Sequence, residues 1–303
     1  ENKQQANLVL EDGTIFEGYA FGAKQAVAGE VVFNTGMVGY PESLTDPSYR
    51  GQILALTYPL IGNYGVPDNE KEDQLLKYFE SDRIHVQGLI VTEQCEAYSH
   101  WNAHKSLSEW LKEYNVPGIY RIDTRALTKR LREKGVMLGK IIYAQEDEIA
   151  FDDPNMRNLV AEVSIPEPIV YEKGKKRIAI VDSGVKHNII RAFLRRNMTV
   201  IRCPWDYNFL QEKVDGIVLS NGPGDARTCP AAIEHVRQAL AGNTPILGIC
   251  LGSQILGLAA GATLYKLKYG HRSQNQPCAE TGTKRCYITV QNHGYALDAD
   301  PLP

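Results

Sequence analysis

Pro245-Ile-Leu-Gly-Ile-Cys-Leu-Gly-Ser-Gln254, followed by the apolar, small-residue segment Ile255 to Ala262, is the stretch that decides the fold. A short apolar run enters Gly248-Ile-Cys250-Leu-Gly252 and a helical segment begins straight after it, which reads as a buried strand turning sharply into a helix. Small residues two before and two after a nucleophile are the layout of a nucleophile elbow, because the turn is too tight for larger ones. Cys250 would stand at the helix N-terminus, where the peptide dipoles favour a thiolate and lower the thiol pKa. Taken alone, the pattern fits a buried, inert cysteine equally well.

Upstream, Ser220-Asn-Gly-Pro-Gly-Asp225 closes an apolar strand at Gly216 to Leu219. Ligands of parallel sheets bind beyond the carboxyl ends of the strands, so this loop and the elbow are expected to face one crevice. Its glycine amides can approach a ligand closely and donate to a developing oxyanion. Without Cys250 the loop would be an ordinary glycine-rich turn. Downstream, Gln291-Asn-His-Gly-Tyr295 reads as a polar turn after the alternating strand Arg285 to Val290. An apolar strand at Arg177 to Val181, a helix from about Lys186 and a strand at Thr199 to Arg202 complete the pattern. Strands alternating with helices imply βαβ units, hence an α/β fold with a doubly wound parallel sheet over 177–303.

A chain of 303 residues is longer than one core sustains, and its first half has a different rhythm. Alternating runs at Asn7 to Leu10 and Thr14 to Tyr19 flank the turn Glu11-Asp12-Gly13 and predict a hairpin. Strand-like runs follow at Glu30 to Asn34, Gln52 to Thr57 and Val86 to Val91. Ser106 with Glu109 forms a capping box that starts a helix running to Tyr114, and a basic helix at Thr124 to Lys134 is closed by Gly135. Residues 1–152 are therefore expected to form a β-rich mixed α/β domain. The proline- and charge-rich stretch 153–176 reads as a linker.

A formal net charge of -3 gives no electrostatic case for nucleic acid or an acidic membrane as partner. No apolar run approaches the roughly 20 residues of a membrane span, and Glu1 to Ala6 lacks a signal-peptide layout, so a cytoplasmic location is expected. Six scattered cysteines without a CxxC pair indicate neither a disulfide scaffold nor a zinc site. His100-Trp-Asn-Ala-His104 has ligand spacing but no accompanying glutamate, and no metal is expected. Lys266, Lys268 and His271-Arg272 read as a solvated face. No phosphate loop of the G-x-x-x-x-G-K-S/T type is present.

Together, Asn221-Gly-Pro-Gly-Asp225, Gly248-Ile-Cys-Leu-Gly252 with Gln254, and Gln291-Asn-His-Gly294 resemble the motifs of class I (triad-type) glutamine amidotransferases. Leu8-Val-Leu-Glu-Asp-Gly13, Gly29-Glu-Val-Val-Phe-Asn-Thr35, Gly39-Tyr-Pro-Glu42, Thr45-Asp-Pro-Ser-Tyr49, Pro59-Leu-Ile-Gly-Asn63 and Ile122-Asp-Thr-Arg-Ala-Leu-Thr128 resemble the small subunit of carbamoyl-phosphate synthetase. The resemblance runs from about Leu8 to Tyr295. It implies that Cys250 attacks L-glutamine, forming a thioester, and that the ammonia passes to a large synthetase subunit using bicarbonate and ATP for pyrimidine and arginine biosynthesis. It also implies a heterodimer or higher oligomer with that subunit, docking through the N-terminal domain, and no cofactor in this subunit. By the same resemblance the glutamine site comprises Ser48, Gly222, Gly224, Leu251, Gln254, Asn292, Gly294 and Tyr295. The Gly222 and Leu251 amides suit an oxyanion; Gln254, Asn292, Gly294 and the Tyr295 backbone suit the amino-acid head. Ser48 would reach across from the first domain, and a simple turn hydroxyl in Asp46-Pro-Ser fits it equally well.

A cysteine attacking an amide needs a base and a group to orient it. The family takes both from a His-Pro-Glu motif downstream of the cysteine, which is absent from these 303 residues, so they are not expected to suffice for glutaminase activity and an exposed sheet edge is expected. His293 belongs to the family's substrate loop and is read as structural. Ser253, where some relatives carry His, is expected to matter little. Two other functions compete: a non-catalytic scaffold that regulates the synthetase subunit, and a general cysteine hydrolase, which would have no use for the N-terminal domain.

Overall fold

The computed structural model describes residues 3–143, 149–298, 300 and 302. Among them, β1 (Gln5–Leu10), β2 (Ile15–Gly22), β3 (Val27–Asn34), α1 (Tyr40–Leu44) and β4 (Gln52–Leu56) come first. A two-residue ribbon, β5 (Lys71–Glu72) and β6 (Leu75–Leu76), precedes β7 (Gly88–Val91), α2 (Leu107–Glu113), β8 (Pro117–Tyr120), α3 (Thr124–Lys134) and β9 (Met137–Tyr143). Seven of these strands close into a barrel in the order β1-β2-β8-β7-β4-β3-β9. Both predicted helices and the predicted hairpin are present, and Ser106 and Glu109 cap α2 reciprocally.

Closure follows from period-two burial, since successive strand residues face opposite sides of a sheet. Val31, Phe33, Ile53, Ala55 and Ile90 pack inside with Leu8, Ile119 and Ile141 from the other strands. Their neighbours Val32, Leu54, Leu56, Leu89 and Val91 pack outside, with Trp110 and Leu111 of α2.

The segment 153–176, expected as a linker, is folded. It holds α4 (Leu159–Val163) and β10 (Ile169–Tyr171), and β10 runs antiparallel to β12 as an edge strand of the second sheet. That sheet comprises β11 (Lys176–Asp182), then α5 (His187–Leu194), β12 (Met198–Pro204), β13 (Gly216–Leu219), α6 (Pro230–Leu240) and β14 (Ile246–Gly248), with α7 (Leu251–Ala260) after it. Its order is β10-β12-β11-β13-β14, and every pair except β10–β12 is parallel. Ile178, Ile180, Val200 and Val218 pack against Ile190 and Leu194 of α5. Ala179, Val181, Ile217 and Leu219 pack on the opposite face with Val236 of α6 and Ile255 of α7. The chain leaves β11 on one side for β12 and crosses to β13 on the other, so β11 marks the reversal of strand order where ligands gather. β14 is an edge strand, with Leu247 52% exposed.

Two sequence expectations change in the remainder. β15 (Thr263–Ala279) and β16 (Cys286–Asp298) form a two-stranded hairpin, so Gln291 to Tyr295 lie within a strand instead of a polar turn. Arg272, read as solvated, is 4% exposed. A hydrophilic stretch can still be an inner strand wall when its partners are polar groups of another element. Among the described residues no helix is long and apolar enough to cross a membrane, and no His, Cys, Asp and Glu cluster has the layout of a metal site.

Candidate active site

β14 ends at Gly248 and α7 starts at Leu251, leaving two residues for the turn. Cys250 occupies φ 53° and ψ -111°, a conformation rare for a residue with a side chain. The flanking glycines make the turn possible by close approach. A β-carbon on Gly248 would lie 2.6 Å from Cα of Ser253, and one on Gly252 would lie 2.1 Å from the Leu219 carbonyl oxygen. A side chain at Gly248 would force α7 away from β14, and one at Gly252 would force it away from β13.

Cys250 Sγ lies 3.6 Å from the Asn292 carbonyl oxygen, to which the thiol can donate. The expected depression of its pKa is not found. Burial pushes the thiol up to about 11, outweighing the Lys186 charge, the Leu251 amide and Arg272, which pull it down. One turn of short helix cannot offset the desolvation of a thiolate on its own.

The nine sequence-predicted site residues, Ser48, Gly222, Gly224, Cys250, Leu251, Gln254, Asn292, Gly294 and Tyr295, all line one cleft. Ser48 comes from the barrel side, on a turn capped by Asp46, whose carboxylate accepts from the Ser48 N–H at 2.9 Å. Its hydroxyl accepts from Asn221 Nδ2 at 3.0 Å, so it does more than serve its own turn. Asn221 also donates to the Gly184 carbonyl and accepts from the Lys186 N–H, tying the Ser220–Asp225 loop to the end of β11. Gly224 has φ +77° in this loop, and Gly222 packs directly on the Ser183 carbonyl. Gln254 Nε2 donates to the Tyr295 carbonyl at 3.1 Å. Gln254 Oε1 and Asn292 Nδ2 are buried without partners. Such atoms are costly unless a ligand or water completes them.

His293 engages both ring nitrogens within its own strand, with the Tyr295 carbonyl at 2.7 Å and Gln291 Oε1 at 3.1 Å. Burial lowers its pKa. These contacts suit the structural role read from sequence. His100 Nδ1 accepts from the Asn102 N–H and its ring lies beside Trp101.

Sequence reasoning missed several residues of the cleft and of the groove beside it. Lys186, read only as the start of a helix, pairs with Asp46 of the barrel side at 2.8 Å, and this carboxylate raises its pKa against the opposing effect of burial. Glu30, Gln52, Asn155, Lys266 and Arg272 also line the wall. The signal for Glu30 was a charged residue inside an otherwise apolar strand. On the other side, the thiol borders an apolar groove lined by Ile189, Ile249, Val290 and Leu297.

This combination, a strained cysteine at a strand-to-helix turn with a glycine loop beside it, is that of the class I amidotransferases. Residues 179–303 match the family model "Glutamine amidotransferase class-I", and residues 8–141 match "Carbamoyl-phosphate synthase small chain, CPSase domain". The chain is 49% identical to the carbamoyl phosphate synthase arginine-specific small chain of Saccharomyces cerevisiae, over 99% of this chain and 76% of that protein. It is 52% identical to the multifunctional protein CAD of Squalus acanthias, over 98% of this chain. It is 49% identical to the mitochondrial carbamoyl-phosphate synthase [ammonia] of Aquarana catesbeiana, over 99% of this chain. It spans only 14% of the Squalus protein and 20% of the Aquarana protein. The chain belongs to the carbamoyl-phosphate synthase small-chain family.

Proposed function

We propose that this chain is the glutamine-hydrolysing part of a carbamoyl-phosphate synthase. The observation that carries the proposal is Cys250, held at positive φ beside a cleft that also contains the unpartnered Gln254 Oε1 and Asn292 Nδ2. An acceptor and a donor at that position suit the α-ammonium and α-carboxylate of an amino acid. Ser48, Gly224, Gly294 and Tyr295 form the rest of that wall. The Cys250 thiolate attacks the side-chain amide carbon of L-glutamine, and the oxyanion is received by the Gly222 and Leu251 amides. Collapse, with the proton taken from the thiol passed to the leaving nitrogen, expels ammonia and leaves a γ-glutamyl thioester; water then attacks it, one of its protons going to the departing thiolate, giving L-glutamate and the free thiol. With the thiol pKa raised to about 11, a proton acceptor is required. The family takes it from its His-Pro-Glu motif, and the apolar groove beside the thiol gives an imidazole room to approach.

Ammonia goes to a synthetase moiety, fused or separate, that makes carbamoyl phosphate for pyrimidine or arginine biosynthesis. The barrel domain, residues 1–152, docks to it, and residues 177–303 form the doubly wound amidotransferase domain. Bicarbonate and ATP belong to that partner, no cofactor is assigned to this chain, and the assembly is placed in the cytoplasm as a heterodimer or higher oligomer. A non-catalytic scaffold is the second reading, favoured by the relative named for ammonia.

The test is Cys250→Ser in the complete protein with its synthetase. Glutamine-dependent synthesis is expected to disappear while ammonia-dependent synthesis persists. Equal loss of both counts against the assignment, unchanged glutamine use shows that Cys250 is not the nucleophile, and a wild-type complex that uses ammonia alone supports the scaffold.

A further inference from the structure

Among the described residues β15 and β16 pair only with each other, so contacts outside the ladder set how far Asn292 and Tyr295 stand from Cys250. Two residues of β15 lie directly opposite them: Lys266 across from Tyr295 and Arg272 across from Asn292. Between these two the register slips, with Lys266 paired to Tyr295 but His271 already paired to His293. The ladder is therefore interrupted where the cleft wall needs to be firm.

Both residues converge on one carboxylate of the barrel, Glu30 of β3, which is 5% exposed. Glu30 accepts from Lys266 Nζ at 3.0 Å, and Arg272 Nη2 lies 4.0 Å from it. It also accepts from Gln52 Nε2 at 2.8 Å and from Asn155 Nδ2 at 3.3 Å. Asn155 in turn accepts from the Tyr295 hydroxyl at 3.3 Å. The Arg272 guanidinium packs on Gly294, where a β-carbon would come within 3.2 Å of Nη2. One barrel carboxylate thus engages two residues of β15 and, through Asn155, Tyr295 of β16, and it is the counter-charge of a buried arginine. A buried charge deprived of its partner shifts toward solvent or another anion.

We propose that Glu30 is a positioning residue for glutamine: through Lys266 and Arg272 it holds Asn292, Gly294 and Tyr295 at the spacing from Cys250 that the amino-acid head requires. The proposal rests on the glutaminase assignment above. Because the wall contacts the head and not the reacting amide, loss of Glu30 should weaken ground-state and transition-state binding alike. That raises KM and leaves kcat nearly unchanged.

The experiment uses the complete protein assembled with its synthetase. Glu30→Gln is expected to raise KM for glutamine by about tenfold or more while kcat changes by less than about twofold. Ammonia-dependent synthesis should remain at the wild-type rate. Glu30→Asp, which keeps the charge, is expected to lie between the two. A wild-type KM in Glu30→Gln overturns the proposal, and so does a parallel fall in ammonia-dependent synthesis, which makes Glu30 a residue of the fold only. If Glu30→Gln does not fold, Lys266→Met is read instead: it leaves Glu30 and Arg272 paired, and about a threefold rise in KM supports the proposal whereas an unchanged KM overturns it. A wild-type complex that makes no carbamoyl phosphate from glutamine overturns the glutaminase assignment itself, before any variant is compared.

Discussion

At Gly222 a β-carbon would lie 2.0 Å from the Ser183 carbonyl oxygen and 2.8 Å from Leu251 Cδ2. The first of these neighbours is backbone and cannot rotate away, so the loop itself must move. Gly222→Ala is expected to cost roughly 2–3 kcal/mol of stability, read from a denaturation midpoint, and to cut glutamine turnover as its N–H swings away. Gly224→Ala, with positive φ but its nearest neighbour at 3.4 Å, should cost about 1 kcal/mol. Equal stability of the two variants would mean that the Ser183 contact yields easily. The Cys250 thiol makes a second prediction. With its pKa near 11, its alkylation by iodoacetamide, followed on the Cys250 peptide by mass spectrometry, should keep rising with pH through 9 and 10. A plateau near pH 8 would show that the helix N-terminus outweighs burial.

At the scale of elements, α2 illustrates a local code that is independent of the site. Ser106 Oγ accepts from the Glu109 N–H at 3.2 Å, and Glu109 Oε2 accepts from the Ser106 N–H at 2.8 Å. Ser106→Ala should destabilise the protein by about 1 kcal/mol in thermal or chemical unfolding and leave glutamine KM unchanged. The β15–β16 hairpin shows the reverse dependence. Outside the alternating run Arg285 to Val290 it carries no strand signal of its own, and its cleft-side residues are held by Glu30, Gln254 and Asn155 on other elements.

Across the whole molecule, the barrel and the second sheet meet over buried histidines. His85 precedes β7 and is 3% exposed; His187 starts α5 and is 1% exposed; Nδ1 of each lacks a partner. Burial pulls both pKa values to about 3, reinforced for His85 by Arg83, Arg50 and His187, and for His187 by Arg202, Arg191 and Lys71. Unfolded histidine takes up its proton near pH 6.5, whereas these remain neutral in the fold until about pH 3. The unfolded state therefore binds more protons throughout that window. The stability contribution is complete above pH 6.5 and is lost as pH falls toward 3, with a combined slope approaching about 2.7 kcal/mol per pH unit. Denaturant titrations at pH 7, 6 and 5 should show about half of that slope between pH 7 and 6 and nearly all of it between pH 6 and 5, and a His85→Gln, His187→Gln double variant should flatten it. An unchanged slope in the double variant would assign acid sensitivity to other groups.

What the sequence by itself determined was local or periodic. The Gly-x-Cys-x-Gly elbow, the glycine loop, the capping box and the alternation of strands with helices are encoded within a few residues, because tight turns, caps and burial periods are short-range constraints. Cys250 was legible in the elbow, whereas the other eight proposed site residues came from the resemblance of the glycine loop, the elbow with Gln254, the Gln291 to Tyr295 segment and the Asp46-Pro-Ser turn to the family's motifs. Only the tertiary structure decided what depends on groups distant in the chain. It set the thiol pKa through burial, placed Gln291 to Tyr295 in a strand, gave residues 169–171 an edge position in the second sheet, drew Glu30 and Arg272 into the cleft and set Lys186 in the groove beside it. Glu30 and Lys266 stand 236 positions apart, yet share a hydrogen bond. Such an electrostatic environment is a sum over neighbours in space, which no window of sequence contains.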